Sequence, residues 1–442
     1  MSTLPQSHVR VDVAFYDEAE RAKLLAYSTG QTIEALVGAP IDVPMAEFLA
    51  YYLFHRKRLG SEGFRDSAAI GRKLGAALAH LDGCVTFNGH SIRTADGVGH
   101  QLTEVSEHIG ESIGLSVVSR IHGLNEADWA PIPEQRGRTA QPSFDFELSV
   151  PSPVDGPRDI ALPESVRGLE RAVEDDAASD GNSLVQVENK GSSAIDNREH
   201  SPAVVAQKRK IDKKKTKLRS ANVTASTIRY GTIAVVDPRH EGNVRCWLTD
   251  PPGDETSAEP RRDKLLHRLQ FIREWVTFVS PRSQLASALA TRIADLAALS
   301  DPFELDGVPL IRGSGEPFIT DSGLASWSFW LNKSAVGEGS GGVVVQLTKD
   351  ALMFLGIRRE LLALAIDQAF PAILKYEYEA KTSADGLVKC VFSDSRFKSL
   401  QLPSSLAAFR NRQAGYSSFV LPGSVHYSHS GLVIAVLPLP VD

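Results

Sequence analysis

The stretch that decides the fold is the run SLVQVENK at residues 183–190. Its apolar residues Val185 and Val187 alternate with polar residues, which predicts a β-strand with one apolar and one polar face. On such a strand Glu188 and Lys190 project from the same face, one pleat apart. A carboxylate there can hold a divalent cation, and the ammonium beside it can position the water that attacks a phosphodiester. The run therefore predicts a chemical site as well as a strand.

A second run with the same alternation lies upstream, at residues 143–150 with the sequence SFDFELSV. It predicts a strand that carries Asp145 and Glu147 on one face. If the two strands pair as a hairpin, Asp145, Glu188 and Lys190 come together.

The elements around these strands complete a recognisable order. The pattern predicts a helix over residues 102–118, another over 203–220, and a β-branched strand over 226–237. A helix, the Asp145 strand, the Glu188-x-Lys190 strand, a helix and a strand resemble the core of the PD-(D/E)xK nuclease superfamily, over about residues 101–250. The resemblance implies an α/β restriction-endonuclease-like core, in which a mixed sheet is flanked by helices.

The resemblance also implies roles for particular residues. Asp145, Glu188 and Lys190 are the expected catalytic residues, and Mg²⁺, for which Mn²⁺ can substitute, would be held by Asp145, Glu188 and the backbone carbonyl of Asn189. An acidic, Pro-rich insertion at 151–181 separates the two strands, which leaves open whether Asp145 or Glu147 is the metal ligand. The secondary candidates are Glu147 and Gln186 on the same faces, and Glu107 and Glu111 on the preceding helix. The helix pattern places these last two away from the apolar stripe and favours solvated side chains.

The predicted helix after Lys190 carries a cluster of basic residues interrupted by a single acid, Asp212. This cluster predicts a nucleic-acid-binding helix, because lysine and arginine contact phosphates. A solvated charged face and a nuclear-localisation signal are the alternatives. The candidate nucleic-acid-binding residues are Lys208, Arg209, Lys210, Lys213, Lys214, Lys215, Lys217 and Arg219.

Length and composition bound the organisation of the chain. Its 442 residues predict two or three domains. We expect a helical N-terminal region at 1–95, the nuclease-like core at 96–250 with its insertion at 151–181, and an α+β C-terminal domain at 262–442. The three scattered cysteines, the lack of a signal-peptide pattern and the lack of a bilayer-length apolar run predict a cytoplasmic protein without a membrane partner. A net charge of −6 does not indicate a basic nucleic-acid binder as a whole, so binding would depend on local clusters.

Other motifs predict no chemistry. The glycine-rich run at 337–342 satisfies G-x-G-x-x-G but precedes a strand-like run, which favours a hairpin loop over a dinucleotide site. The sequence HYSH at 426–429 lacks nearby acidic or cysteine partners and is expected to be a surface loop, as is His200. The sequence contains no P-loop and no G-x-S-x-G elbow.

These observations predict a metal-dependent deoxyribonuclease. By resemblance to stand-alone members with extra domains, it would be an endonuclease in restriction of foreign DNA or phage defence, with DNA repair as the second role. Residues 262–442 would select the substrate, form a homodimer or bind a partner protein. The alternative is a non-catalytic nucleic-acid-binding or assembly protein that keeps a nuclease-like scaffold.

Overall fold

The structure is a computed structural model. It describes residues 7–26, 29–54, 67–95, 102–132, 146–150, 183–193, 200–220, 227–236, 243–249, 260–279, 284–299, 301–310, 328–331, 340–348, 350–393, 411–413 and 416–439. All structural statements below refer to these residues.

The elements of the first part of the chain are, in order, β1 (His8–Phe15), α1 (Glu18–Leu25), α2 (Gly30–Gly38), β2 (Ile41–Pro44), α3 (Met45–Phe54), α4 (Ser67–Cys84), β3 (Val85–Asn88), β4 (Ser91–Thr94), α5 (Leu102–His122) and β5 (Ala130–Pro131). They are followed by β6 (Phe146–Val150), β7 (Ser183–Ser193), α6 (Pro202–Ser220), β8 (Thr227–Val236) and β9 (Val244–Thr249). The last part contains α7 (Pro260–Val279), α8 (Gln284–Ala298), β10 (Ser328–Leu331), β11 (Ser340–Thr348), β12 (Ala351–Arg358), α9 (Arg359–Asp367), α10 (Phe370–Lys375), β13 (Lys381–Ser393), β14 (Asn411–Gln413), β15 (Tyr416–Tyr427) and β16 (Leu432–Pro438).

The first large sheet is a seven-stranded mixed sheet with the order β2-β1-β9-β8-β7-β6-β5. β7 pairs with β8 in parallel, and β1 pairs with β9 in parallel. The other neighbours, including β6 and β7, are antiparallel. A parallel pair needs a crossover connection, and α6 lies between β7 and β8 in the chain.

Helices cover both faces of this sheet. On one face α5 packs on β7 so closely that a Cβ at Gly110 would overlap the backbone of Gly191. On the other face α6 packs on β8, where a Cβ at Gly231 would lie 2.8 Å from the side chain of Ile211. The protein is therefore mixed α/β, with a mixed sheet between helices.

The N-terminal region differs from the expected helical region. The helices are present, and Asp17 caps α1 by accepting a hydrogen bond from the backbone N–H of Glu20. However, residues 8–15 and 41–44 form β1 and β2, which belong to the same sheet as β7. Strands from both sides of the predicted domain boundary near residue 95 therefore belong to one sheet.

The C-terminal region contains a second seven-stranded sheet, in which all described pairs are antiparallel. Its order is β13-β10-β11-β12-β16-β15-β14, and β13 also pairs with β15, which closes six of the strands into a ring. Residues 351–358 form β12, and all eight of them are buried. α9 and α10 follow it, so the region is α+β.

One hydrophobic core joins the two sheets. Val187 of β7 and Val345 of β11 belong to the same cluster of buried residues. α4 reaches from the N-terminal region to β11, where glycines at 71 and 75 lie against the backbone of Gln346 and Leu347. The first sheet is thus held against the C-terminal region. None of the described helices is long and apolar enough to cross a membrane.

Candidate functional site

Glu188 and Lys190 meet on the face of β7 that α6 covers. The Nζ of Lys190 lies 2.6 Å from Oε1 of Glu188. Glu188 is only 2% exposed, whereas the Lys190 side chain is 19% exposed, so the lysine is the more accessible member of the pair. Taking a carboxylate out of water is costly unless cations or hydrogen-bond donors surround it, so this arrangement needs its positive partners.

The strand register explains the position of this pair. The last described pair between β6 and β7 joins Phe146 to Val187, and Glu188 is the next residue of β7. On the other side Glu188 pairs with Gly231 of β8, which lies under α6. Because residues paired in a parallel ladder share a face, Glu188 also faces α6. The pair therefore lies just past the described end of the β6–β7 ladder.

The second oxygen of Glu188 is contacted by Lys214, which the sequence predicts to bind nucleic acid. Lys214 of α6 donates a hydrogen bond from Nζ to Oε2 of Glu188. Lys214 follows the buried Ile211 by three residues and precedes the buried Leu218 by four, so it lies on the inward side of α6. This spacing is a signal in the sequence that predicts an inward lysine.

The opposite face of β7 carries Asn189. Its side-chain oxygen accepts a hydrogen bond from Thr232 Oγ1 at 2.6 Å, and a Cβ at Gly114 of α5 would overlap both groups. α5 thus fits tightly on this face because it has glycine where it crosses the polar pair.

Glu111 of α5 corrects one expectation. The helix pattern favoured a solvated side chain, but Glu111 is 1% exposed. The reason is that α5 also packs against α3, so it is buried beyond its apolar stripe. Glu107 is half-buried. α5 covers the Asn189 face of β7, whereas the Glu188–Lys190 pair lies on the α6 face.

A row of polar residues continues along the α6 face. Gln186 of β7 pairs with Arg229 of β8, so these two lie side by side on that face, and in the backbone register Gln186 also pairs with Glu147 of β6. Arg229 is buried, and its Nε lies 3.4 Å from Oε1 of Gln186. Arg229 is a neighbour of the site that the sequence analysis missed. Asp145, the expected first acid, lies outside the described residues.

The basic residues of α6 divide into two groups. Lys208, Lys214 and Lys215, three of the predicted nucleic-acid-binding residues, are half-buried or buried. The exposed group follows one side of the helix, and we call it the basic stripe: Arg209, Lys210, Lys213 and Lys217. The side chain of Arg219 lies outside the described part.

Lys208 has a structural role beside the site. Its Nζ lies 2.6 Å from Asp212 Oδ1 and 3.1 Å from Glu20 Oε1, and it stands 5.5 Å from the ring centroid of Tyr16. Burial alone would lower the pKa of Lys208, but the hydrogen bonds to Asp212 and Glu20 outweigh it and raise the pKa above its ordinary value. Lys208 therefore ties α6 to α1.

The other motifs agree only in part with expectation. Gly342 lies inside β11, and residues 337–339 fall outside the described ranges. His200 is exposed. His426 and Tyr427 are not in a surface loop, because they belong to β15 and are fully buried among its neighbours.

The described residues contain no group of three or more His, Cys, Asp or Glu that could hold a metal ion. The described site is therefore one carboxylate in contact with two ammonium groups, beside Gln186 and Arg229. Comparison of the chain with protein-family models, curated proteins and solved structures found no match in any of the three. The function is accordingly argued from the site itself.

Proposed function

We propose that the chain is a metal-dependent nuclease that hydrolyses DNA phosphodiester bonds, with Asp145, Glu188 and Lys190 as its catalytic residues. The observation that carries the proposal is the 2.6 Å contact between the Lys190 ammonium and the Glu188 carboxylate. A buried carboxylate with an ammonium two residues later, on one face of one strand, is the pair that the E-x-K element requires.

The connectivity around the pair supports a restriction-endonuclease-like core. β6 is antiparallel to β7, and β7 is parallel to β8 with α6 between them in the chain. This order agrees with the helix–strand–strand–helix–strand order on which the resemblance to the PD-(D/E)xK superfamily depends. A right topology does not establish chemistry, so the proposal depends on the residues.

Of the expected metal ligands, the structure describes Glu188 and Asn189. Both oxygens of the buried Glu188 carboxylate contact ammonium groups, so a divalent cation there would have to replace one of these contacts. Asp145, Glu188 and the backbone carbonyl of Asn189 would hold Mg²⁺ or Mn²⁺, with Glu147 and Gln186, which pair in the backbone register, as the secondary candidates. Such an ion would lower the pKa of a bound water and neutralise phosphate charge.

Lys190 would act directly on the substrate. Its ammonium, in contact with Glu188 and carried by a partly exposed side chain, would orient the attacking water or stabilise negative charge on the scissile phosphate. Phosphodiesters resist attack because they are anionic, so a fixed cation at this position favours the transition state. The basic stripe on α6 follows β7 in the chain and offers contacts to the backbone of DNA.

The test is cleavage of supercoiled plasmid in Mg²⁺, compared with the same reaction in EDTA. Lys190→Ala should lower the rate by at least about a hundredfold, because it removes a charge that acts on the transition state. Lys389→Ala, at an exposed lysine of β13, is the matched control and should cleave as the wild type does. Asp145→Asn tests the first acid. A wild type that never cuts, or a Lys190→Ala variant that cuts equally well, would overturn the proposal.

A second candidate is a non-catalytic nucleic-acid-binding or assembly protein on the same scaffold. The contact of both Glu188 oxygens with lysine ammonium groups favours it, because such a triad can serve structure alone. DNA binding that persists without any cleavage would support this candidate.

The biological role proposed for the nuclease is restriction of foreign DNA or phage defence, with DNA repair second. Residues 262–442 would select the substrate, form a homodimer or bind a partner protein. Cutting both strands generally needs two active sites, so a homodimer is the proposed cutting form.

A further inference from the structure

One carboxylate brings together the ammonium groups of two different elements. Lys190 of β7 contacts Oε1 of Glu188 at 2.6 Å, and Lys214 of α6 contacts Oε2. The Glu188 side chain is 3% exposed, whereas the two lysine side chains are 19% and 25% exposed. Water screens charges weakly in such a place, so the two ammonium groups would repel each other without the carboxylate. Glu188 therefore holds two partly accessible cations at one place.

This group of side chains carries an excess of positive charge. Two ammonium groups outweigh the single carboxylate between them. Arg229, which pairs with Gln186 two residues before Glu188, adds another positive charge on the same face. An ammonium has three N–H donors, more than a contact with one carboxylate oxygen uses. The group therefore suits an anion that accepts hydrogen bonds, such as a phosphate.

The exposed surface of α6 extends this positive charge away from the carboxylate. Lys210 precedes Lys214 by four residues and Lys217 follows it by three, and both are exposed members of the basic stripe. Residues three and four apart on a helix are neighbours, so Lys214 lies beside both of them. A surface that repeats positive charge beyond the pair suits a chain of phosphates, as in the backbone of DNA, better than a single phosphate ion.

We propose that Lys190 and Lys214 form one site for a phosphate group of the DNA backbone, with Glu188 as the positioning residue that holds the two lysines together. The identity of the ligand rests on the proposed function, but the site itself needs neither cleavage nor a bound metal ion. The proposal gives Lys214 a contact with the substrate and accounts for both lysine contacts of Glu188.

Binding of a labelled DNA duplex in EDTA, followed by fluorescence anisotropy, tests the site separately from cleavage. Lys190→Met and Lys214→Met keep an unbranched side chain without the charge. Each should weaken binding by about tenfold, because a hydrogen bond between charged groups is lost. Lys389→Met, at an exposed lysine of β13, is the matched control and should bind as the wild type does. Circular dichroism of each variant confirms that it is folded.

A double variant tests whether the two lysines hold the same phosphate. Lys190→Met combined with Lys214→Met should weaken binding by less than the product of the two single effects, because the second lysine contributes less once the phosphate has lost the first. The salt-dependence slope should fall by about one, since one phosphate contact is lost. Fully multiplicative effects with a slope smaller by about two would overturn the shared site.

Glu188→Gln tests the positioning role. The substitution removes a negative charge, which by itself would strengthen the binding of DNA. If Glu188 holds the two lysines in place, the variant should instead bind more weakly than the wild type. Asp212→Asn, which removes a negative charge from α6 itself, is the matched control and should bind at least as tightly as the wild type. Unchanged or tighter binding by Glu188→Gln would overturn its positioning role.

The outcomes separate this proposal from the proposed function. Equal binding by Lys214→Met and Lys389→Met in EDTA, or no binding by the wild type in EDTA, would overturn the phosphate site even if the wild type cuts plasmid in Mg²⁺. Binding that both single lysine variants weaken by about tenfold, in a protein that never cuts, would support the site and overturn the nuclease proposal alone.

Discussion

Gly110 of α5 lies directly against Gly191 of β7, so that the helix and the strand touch through their backbones. A Cβ on either glycine would overlap atoms of the other element. Gly191 follows Lys190, and this contact therefore fixes the end of the strand that carries the candidate site. The close approach on one face of β7 leaves the other face to Glu188, Lys190 and α6.

The first prediction concerns this contact. Gly191→Ala would place a methyl group on the carbonyl oxygen of Ser106, and we expect the free energy of unfolding to fall by at least about 2 kcal/mol, because overpacking forces backbone shifts. Urea unfolding followed by circular dichroism measures it. Gly83→Ala in α4 is the control, since a Cβ there meets nothing within 4 Å and alanine favours a helix. Equal stability of the two variants would contradict the close packing.

A strand whose polar and apolar residues alternate can be predicted from the sequence. A strand without this alternation cannot. β7 and β8 follow from their patterns of polar and apolar residues. β1 carries the same signal in the buried residues Val9, Val11 and Val13, but the helix formers after Asp17 led to a helical prediction for the whole region. β12 is buried on both faces, and a continuous apolar run has no period that distinguishes strand from helix.

For the candidate site, the sequence predicts which residues share a face of a strand. It does not predict which helix residues pack against that face. The shared face of Glu188 and Lys190 follows from a period of two. The contact of Lys214 with Glu188 depends on how α6 lies on the sheet, which no local pattern gives. The burial of Glu111 likewise results from the packing of α5 against α3 and is a tertiary effect.

The second prediction concerns Arg268 of α7, which joins a segment from the first part of the chain to a segment of the C-terminal region. It donates hydrogen bonds to both oxygens of Asp128, at 2.6 and 2.9 Å, and to backbone carbonyls of Ile373, Leu374 and Tyr376. Arg268→Ala should cost about 3–5 kcal/mol of unfolding free energy, because it leaves a buried carboxylate without its cation. Urea unfolding measures the loss.

A double variant tests the reason for that loss. Burial alone would raise the pKa of Asp128, but Arg268 and Lys264 outweigh it and hold the pKa well below its ordinary value. This carboxylate therefore stabilises the protein above pH 4 or so, and its contribution is lost as the pH falls further. Arg268→Ala combined with Asp128→Asn should lose less than the sum of the single variants. Strict additivity would contradict a direct coupling of the two side chains.

The third prediction is a dependence on pH at Glu126, which accepts a hydrogen bond from the backbone N–H of Ser430. Burial, followed by the nearby carboxylate of Glu47, raises the pKa of Glu126 from 4.5 to about 7. The folded protein therefore holds a proton that the unfolded chain releases, and this group lowers stability as the pH rises from about 4.5 to about 7. Glu126→Gln keeps an acceptor for Ser430 without the charge. Its free energy of unfolding should exceed that of the wild type by about 1–3 kcal/mol at pH 8, and the two should be almost equal at pH 5.

Urea unfolding at several pH values measures this difference. Glu34→Gln is the matched control, because the Glu34 side chain is 60% exposed and its removal should change stability by less than about 0.5 kcal/mol at any pH. Parallel stability curves for the wild type and Glu126→Gln from pH 5 to pH 8 would contradict a raised pKa at Glu126.

The fourth prediction concerns the basic stripe. Lys210, Lys213 and Lys217 are exposed on one side of α6, so their replacement by alanine should leave stability within about 0.5 kcal/mol of the wild type. If they contact DNA phosphates, each releases a counter-ion on binding, and the triple variant should bind DNA more weakly with a salt-dependence slope smaller by about 2 to 3. Fluorescence anisotropy of a labelled duplex over a range of NaCl concentrations measures the slope. Lys389→Ala on β13 removes an exposed lysine away from α6 and should leave the slope unchanged. An unchanged slope in the triple variant would mean that α6 carries a solvated charged face, and DNA would then have to approach Glu188 by another surface.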